Sequence, residues 1–313
     1  MAATAPVVEH GDTSPVFPHR RRRKLGIYGL LIPASILIGV ATGYPLIRQF
    51  ITSFQEYGLK QQFGAPAEWV GLKNYQELLS DPYVWTVIAR SIAFCLVNAA
   101  VTMAIGIAFA VLMQRISKAA RMTLMVSLLL AWGTPVLASM TVWQWLFDSQ
   151  YGVVNWVLAN VFGAENMAGH SWIIEPLSFY FVATVIVVWM SVPFVAFSIY
   201  AGLLQVPEET MEAAQLDGAS QRQRFWNITI PMIRPVLGIV ALLQVIWDMK
   251  VFTQIYVLQR AGAPTRETNL LGTLIYSYGG EYSKAGALAT IMLVITLGMT
   301  GFYVRQMLKE DEL

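Results

Sequence analysis

Six apolar stretches, at about residues 25–50, 84–114, 122–147, 177–204, 230–258 and 285–307, constrain this chain more than any other feature. Each holds the roughly 20 residues that an α-helix needs to cross a hydrocarbon core about 30 Å thick. A helix pairs its own backbone N–H and C=O groups, which lipid cannot do for it. The expectation is an all-α, polytopic membrane protein with about six transmembrane helices. Charge composition agrees: 13% of the residues are charged and 56% hydrophobic, against about 25% charged in soluble domains. A soluble fold with so few charges would expose large apolar patches. The same deficit excludes disordered and nucleic-acid-binding classes.

Lys and Arg placement sets the orientation. The run Arg20–Lys24, then Arg115, Lys118, Arg121, Arg222, Arg224, Arg305 and Lys309, fall on one side of the spans. The other side holds only Lys60, Lys73, Arg260, Arg266 and Lys284, and residues 148–176 have neither Lys nor Arg. By the positive-inside rule both termini are cytoplasmic. The basic run resembles the start of a signal peptide, but the apolar stretch after it is too long and lacks a clear cleavage site. Three regions are expected: a disordered cytoplasmic tail at 1–24, a six-helix domain at 25–308 and a short cytoplasmic tail at 309–313. The outer loop at 148–176 carries an apolar-aromatic stretch, Tyr151 to Asn160, suited to a helix lying in the membrane interface. One cysteine, Cys95, and three scattered histidines give no metal-site pattern. Phosphate-loop, serine-hydrolase and zinc-protease motifs are absent, so neither enzyme chemistry nor ATP binding is expected of this chain.

Residues 205–231 form the most articulated polar segment. Pro207 followed by Glu208 and Glu209 reads as a helix start, with acids at the positive end of the dipole. Met211, Ala214 and Leu216 form a small apolar face. Gly218, after Asp217, permits a left-handed turn, and Ser220 can cap a second short helix. Pro231 marks entry into the fifth span. The product is two short helices at an angle, with small residues at Ala213 and Ala214 that a partner could approach closely.

Glu212-Ala213-Ala214, then Gly218, then Ile228-Thr229-Ile230-Pro231, resembles the EAA signature of permease subunits of binding-protein-dependent ABC importers. Ile230 stands where Leu is usual. The run from Glu212 to Ala219 is similar to the sugar-transporting branch, the maltose, trehalose and glycerol-phosphate type. Trp69-Val-Gly-Leu-Lys-Asn-Tyr75 and Tyr151-Gly-Val-Val-Asn-Trp156 resemble further segments of that branch. So does Ile255-Tyr-Val-Leu258 with Ala261-Gly-Ala-Pro264, where Gln259 and Ala263 replace the usual Thr and Gly.

The resemblance implies a type I ABC importer permease fold that forms half of a sugar pathway in a bacterial cell membrane. It also implies a second permease subunit, two ATPase subunits that bind the ATP, and an extracytoplasmic binding protein. It assigns ATPase coupling to Glu212, Ala213, Ala214, Asp217, Gly218 and Pro231. A polyol or glycerol-phosphate solute is the alternative within the family. An ATPase-independent secondary transporter is the rival outside it.

The fifth span supplies the candidate substrate path: Gln244, Trp247, Asp248, Lys250, Phe252 and Gln254, joined by Trp189 of the fourth span. Ionisable groups within a membrane cost about 2.5–3.5 kcal/mol each on insertion scales, so each should face a cavity or a partner helix. On one regular helix Gln244, Asp248, Val251 and Ile255 would share a face, and Trp247, Lys250 and Gln254 another. Trp132, Pro135, Ser139 and Trp143 would form a stripe along the third span. Trp189, Pro193, Ala196 and Tyr200 would do so along the fourth, with bends at Pro135 and Pro193.

Overall fold

The computed structural model describes residue 29 and residues 31–311. The expected tail at 1–24 with its Arg20–Lys24 run, and the last residues of the 309–313 tail, lie outside the described residues. The described residues divide into two units, one up to Ile51 and one from Thr52.

The first unit holds nearly all of helix α1 (Leu31–Thr52), the first candidate crossing. One π-helical turn, Gly39–Gly43, interrupts its α-helical register.

The second unit opens with a two-residue antiparallel ladder, β1 (Gln55–Glu56) on β2 (Glu68–Trp69). Helix α2 (Lys73–Ser80) follows. Its Asn74 side-chain amide donates to the carbonyls of Ser53 and Gln55 at 2.9 Å each, which pins this segment. Asp81 then accepts from the Tyr83 N–H at 2.8 Å, and Pro82 takes the first helical position of α3 (Pro82–Arg115). This is the start signal that Asp-Pro should give.

After α3 come α4 (Lys118–Gly133), α5 (Val136–Leu146), the short α6 (Val153–Asn160) and α7 (Pro176–Leu203). Helices α8 (Glu208–Leu216) and α9 (Gln221–Arg224) form the polar segment. Helices α10 (Arg234–Met249), α11 (Thr253–Arg260), α12 (Leu271–Ser277) and α13 (Tyr282–Asp311) complete the unit. Among the described residues five helical stretches are long and apolar enough to cross a membrane, one of them α10 and α11 taken together (Arg234–Arg260); α4 and α5 make a sixth crossing if counted together.

Helix α7 is central. Its N-terminal half packs Phe179, Val182 and Ile186 with Met140, Ile255 and Leu258, and its C-terminal half packs Val195 and Ile199 with Met113 and Val240. A Cβ added at Gly106 of α3 would run into Val195, so α3 and α7 approach as closely as small residues allow in membrane helices. A third cluster joins Val84, Ile88 and Cys95 of α3 to Met249, Leu274 and Leu288.

Two expected spans are not continuous helices. The third is bent by 102° between α4 and α5. Pro135, as N-cap of α5, forces the residue before it out of the helical region. The expected stripe is therefore split. Trp132 is half exposed on α4 against Phe194, while Trp143 packs on Phe147 and Trp189. Pro193, by contrast, lies within α7 without breaking the helix. The fifth span stops at Met249 and restarts at Thr253, with Lys250 as C-cap and Phe252 as N-cap. The regular register that would put Val251 and Ile255 in line with Gln244 does not continue through this break.

Candidate functional site

Two sets of residues were singled out by sequence, and they lie in separate parts of the chain. The first is the polar pair α8–α9. Pro207 is the N-cap of α8, with Glu208 and Glu209 in its first turn. Gly218 adopts φ +81°, the left-handed conformation that a side chain disfavours. The Ala219 N–H reaches back to the Ala214 carbonyl at 2.9 Å and the Gly218 N–H to Gln215 at 3.1 Å. This is a Schellman termination, so the fixed distance from Ala214 to Gly218 is the length of one helix end.

Ser220 then caps α9. Its hydroxyl accepts from the Gln223 N–H at 3.3 Å, and the Gln223 side chain accepts from the Ser220 N–H at 2.8 Å. Arg224 donates to the Gln215 side chain at 2.9 Å and so bolts the second helix to the first. Glu212, Ala213 and Asp217 are exposed, Ala214 half-buried, and Leu216 is 89% exposed at the tip. The expected apolar face of Met211, Ala214 and Leu216 is thus divided. Met211 turns inward, its sulfur 3.8 Å from the Thr229 hydroxyl, while Leu216 points away. Pro231 follows a π-helical turn at Phe225–Thr229 that joins the segment to the fifth span.

The second set surrounds the break in the fifth span. Gln244 and Asp248 are buried, and the Gln244 amide donates to both Asp248 oxygens at 3.0 Å. Trp247 is 40% exposed and meets Phe194 edge-on at 4.8 Å. Lys250 is exposed beside it in sequence. Gln254 donates to the Met190 sulfur at 3.7 Å, one residue from Trp189, whose ring meets Trp143 at 5.6 Å. Phe252 stacks on Tyr256 at 5.3 Å and leans on Tyr276. Gln244 and Asp248 therefore come together. Trp247, Lys250 and Gln254 do not share one helical face, because the helix ends between them.

Several polar residues with no expected site role tie the N-terminal end of α3 to the segment after α11. Gln259, one of the departures from the family pattern, donates to Thr268 at 3.1 Å and to Asn269 at 3.0 Å. Arg90 and Tyr83 of α3 donate to the Arg266 carbonyl, and Asn269 donates to the Tyr83 hydroxyl at 2.9 Å. The signal for this network was present as an arginine within a span, a position that demands polar partners. Arg224 had a weaker signal, since its partner lies across the Gly218 turn.

The family model described as binding-protein-dependent transport system inner membrane component matches residues 100–310. The chain is 41% identical over 295 residues, 93% of its length and 89% of the relative's, to the diacetylchitobiose uptake system permease protein DasB of Streptomyces coelicolor. It is 30% identical over 287 residues, 91% of its length and 94% of the relative's, to the trehalose/maltose transport system permease protein MalF of Thermococcus litoralis. A crystal structure of a bacterial ABC transporter involved in the import of the acidic polysaccharide alginate superposes with a TM-score of 0.77. That match has 19% identity and covers 91% of this chain and 96% of the other, and it establishes the fold. On the family match and the extent of these likenesses, the chain belongs to the inner-membrane components of binding-protein-dependent transport systems.

Proposed function

We propose that this chain forms half of the translocation pathway of an ATP-driven importer for a mono-, di- or oligosaccharide. The carrying observation is the near full-length likeness to permeases named for diacetylchitobiose and for trehalose and maltose. A second permease completes the pathway, two separate ATPase subunits bind and hydrolyse ATP, and an extracytoplasmic binding protein delivers the sugar. The membrane is a bacterial cytoplasmic membrane, and the Lys and Arg distribution supports both termini inside. The proposed boundaries are a tail at 1–24, a permease domain at 25–308 and a tail from 309.

Coupling runs through α8. The exposed tip, with Glu212, Ala213, Asp217 and Leu216, enters a cleft of the ATPase. Gly218 ends the helix there, and the Arg224–Gln215 bond carries a push on α8 into α9 and on toward Pro231 and α10. ATP-driven closure supplies different contacts to two global states, which is what moves the equilibrium between them. The sugar passes along Trp247, Lys250, Phe252, Gln254 and Trp189, with the Gln244–Asp248 pair fixing the helix behind them. A pyranose has apolar faces for Trp and hydroxyl edges for amide and ammonium groups.

The test is uptake by the assembled importer in proteoliposomes, with radiolabelled diacetylchitobiose, trehalose and maltose as probes. ATP-dependent accumulation of at least one is expected. Accumulation of none, or transport by this chain alone down an ion gradient, overturns the reading.

A further inference from the structure

The Tyr151–Trp156 motif encloses a groove of about 440 Å³ that the pathway described above does not use. Its frame is built from the motif's own fixed positions. Asp148 accepts from the backbone N–H groups of Gln150 at 2.8 Å and Tyr151 at 2.7 Å, which fixes the turn into α6. Gly152 lies so close to the Asp148 backbone that a Cβ there would collide with it. Asn155 is buried, donates to the carbonyls of His170 at 2.8 Å and Ser149 at 3.4 Å, and accepts from the Trp172 indole N–H at 2.6 Å.

Gly152 and Asn155 are thus consumed by the frame, while the two aromatics of the motif are left outside it. Tyr151 is 77% exposed and Trp156 61% exposed, and both line the groove. Ser149, Gln150 and Asn160 supply its polar edges, and no side chain lining it carries a charge. A rigid concave surface with two open aromatic faces, amides and a hydroxyl, and no ionic group, matches a neutral sugar ring. The ring's C–H face stacks on an aromatic and its hydroxyls reach the amides.

We propose that this groove is a second saccharide-binding site, outside the membrane-spanning path, which holds a ring of the incoming sugar. It rests on the sugar-importer reading and on the orientation that places residues 148–176 outside. Because the frame is pre-organised, binding costs little loop ordering. The site acts on capture rather than on the later step through the spans.

The test uses the complete importer in proteoliposomes, with diacetylchitobiose, trehalose and maltose. Tyr151→Ala and Trp156→Ala should each raise KM about three- to tenfold with kcat unchanged, the size of one lost aromatic stacking contact. Trp156→Phe, which keeps a stacking face, should restore most of the loss. Phe162→Ala, exposed in the same loop but outside the groove, should behave as wild type. A second readout is the fluorescence of Trp156, taken as the difference between wild type and Trp156→Phe. It should respond to added sugar and resist quenching by brominated phospholipid. Wild-type import with unchanged KM in both alanine variants overturns the proposal. So does quenching of Trp156 by brominated lipid without a response to sugar, which makes it an interface anchor. If wild type imports none of the probes, the importer reading fails on its own, and the fluorescence still decides whether the groove takes sugar.

Discussion

Gln244 holds both carboxylate oxygens of Asp248 through a single side-chain amide, at 3.0 Å each, one turn away on the same buried helix face. The pair sits just before the fifth span breaks at Lys250. Asp248→Leu removes the acceptor and leaves a buried amide without a partner, which costs about 1–3 kcal/mol. Asp248→Asn keeps an acceptor and adds a donor for the otherwise unpartnered Gln244 Oε1. Thermal unfolding of the purified complex should show a clear loss for Leu and a much smaller one for Asn. Equal losses would mean that the carboxylate charge, not the hydrogen bond, holds this turn.

Trp247 precedes Asp248 in the chain and is partly exposed and edge-on to Phe194. Trp247→Ala gives up the aromatic contact, about 0.5–1.5 kcal/mol beyond buried area, and, on the proposed path, a stacking face for the sugar. Uptake should fall several-fold while the subunits still co-purify, and Trp247→Phe should recover part of it. Full uptake with Ala would remove Trp247 from the path.

How much of this was legible in the sequence depends on whether the cause is local. Helices α8 and α9 were readable almost to the residue, because Pro207, Gly218 and Ser220 act on their own backbone. Pro135 signals the bend in the sequence, but not its 102° size, which parts Trp132 from Trp143. The break at 250–252 had no local signal: Lys250, Val251 and Phe252 contain neither Gly nor Pro. Its sequence-distant contacts are the Phe252 ring against Tyr276 and Gly272, which brings α12 against the Val251 carbonyl. The Gln259 clamp was likewise hidden. A departure from a family pattern shows that something differs, not that Thr268 and Asn269 stand ready to receive the amide.

Gly218 has open space around its missing Cβ, so a substitution there is opposed by conformation rather than by collision. At φ +81° an ordinary side chain costs about 1–2 kcal/mol, most for a β-branched one. Gly218→Val should insert into the membrane normally and lose ATP-driven uptake, and Gly218→Asn should lose less. Membrane yield and uptake in inverted and right-side-out vesicles separate the two effects. Normal uptake by the Val variant would sink the coupling role of α8.

The Arg224–Gln215 hydrogen bond joins α8 to α9 across the Gly218 turn. Arg224→Met and Gln215→Ala should each lower the sugar imported per ATP hydrolysed, and the double variant should be no worse than the stronger single one. Additive losses would mean that the two residues act separately on the ATPase.

Asp148 lies outside the helices that cross the membrane, and its carboxylate accepts two backbone N–H bonds from the loop it caps. Those bonds favour the charged form and hold its pKa below the ordinary value of 3.8. The sign follows from the depressed folded-state value: the cap is fully present above pH 3.8 and is lost as pH falls through the lower, folded-state value. Hydrogen exchange at the amides of Gln150 and Tyr151 should therefore be slow and constant from neutral pH down to about 4 once the intrinsic rate is removed, then accelerate. Asp148→Ala should show the fast rate at every pH. Asp148→Asn, which retains an oxygen but no charge, should be intermediate and flat. Protection that is unchanged in the Ala variant would show that Gly152 and Asn155 hold the groove's frame without the cap.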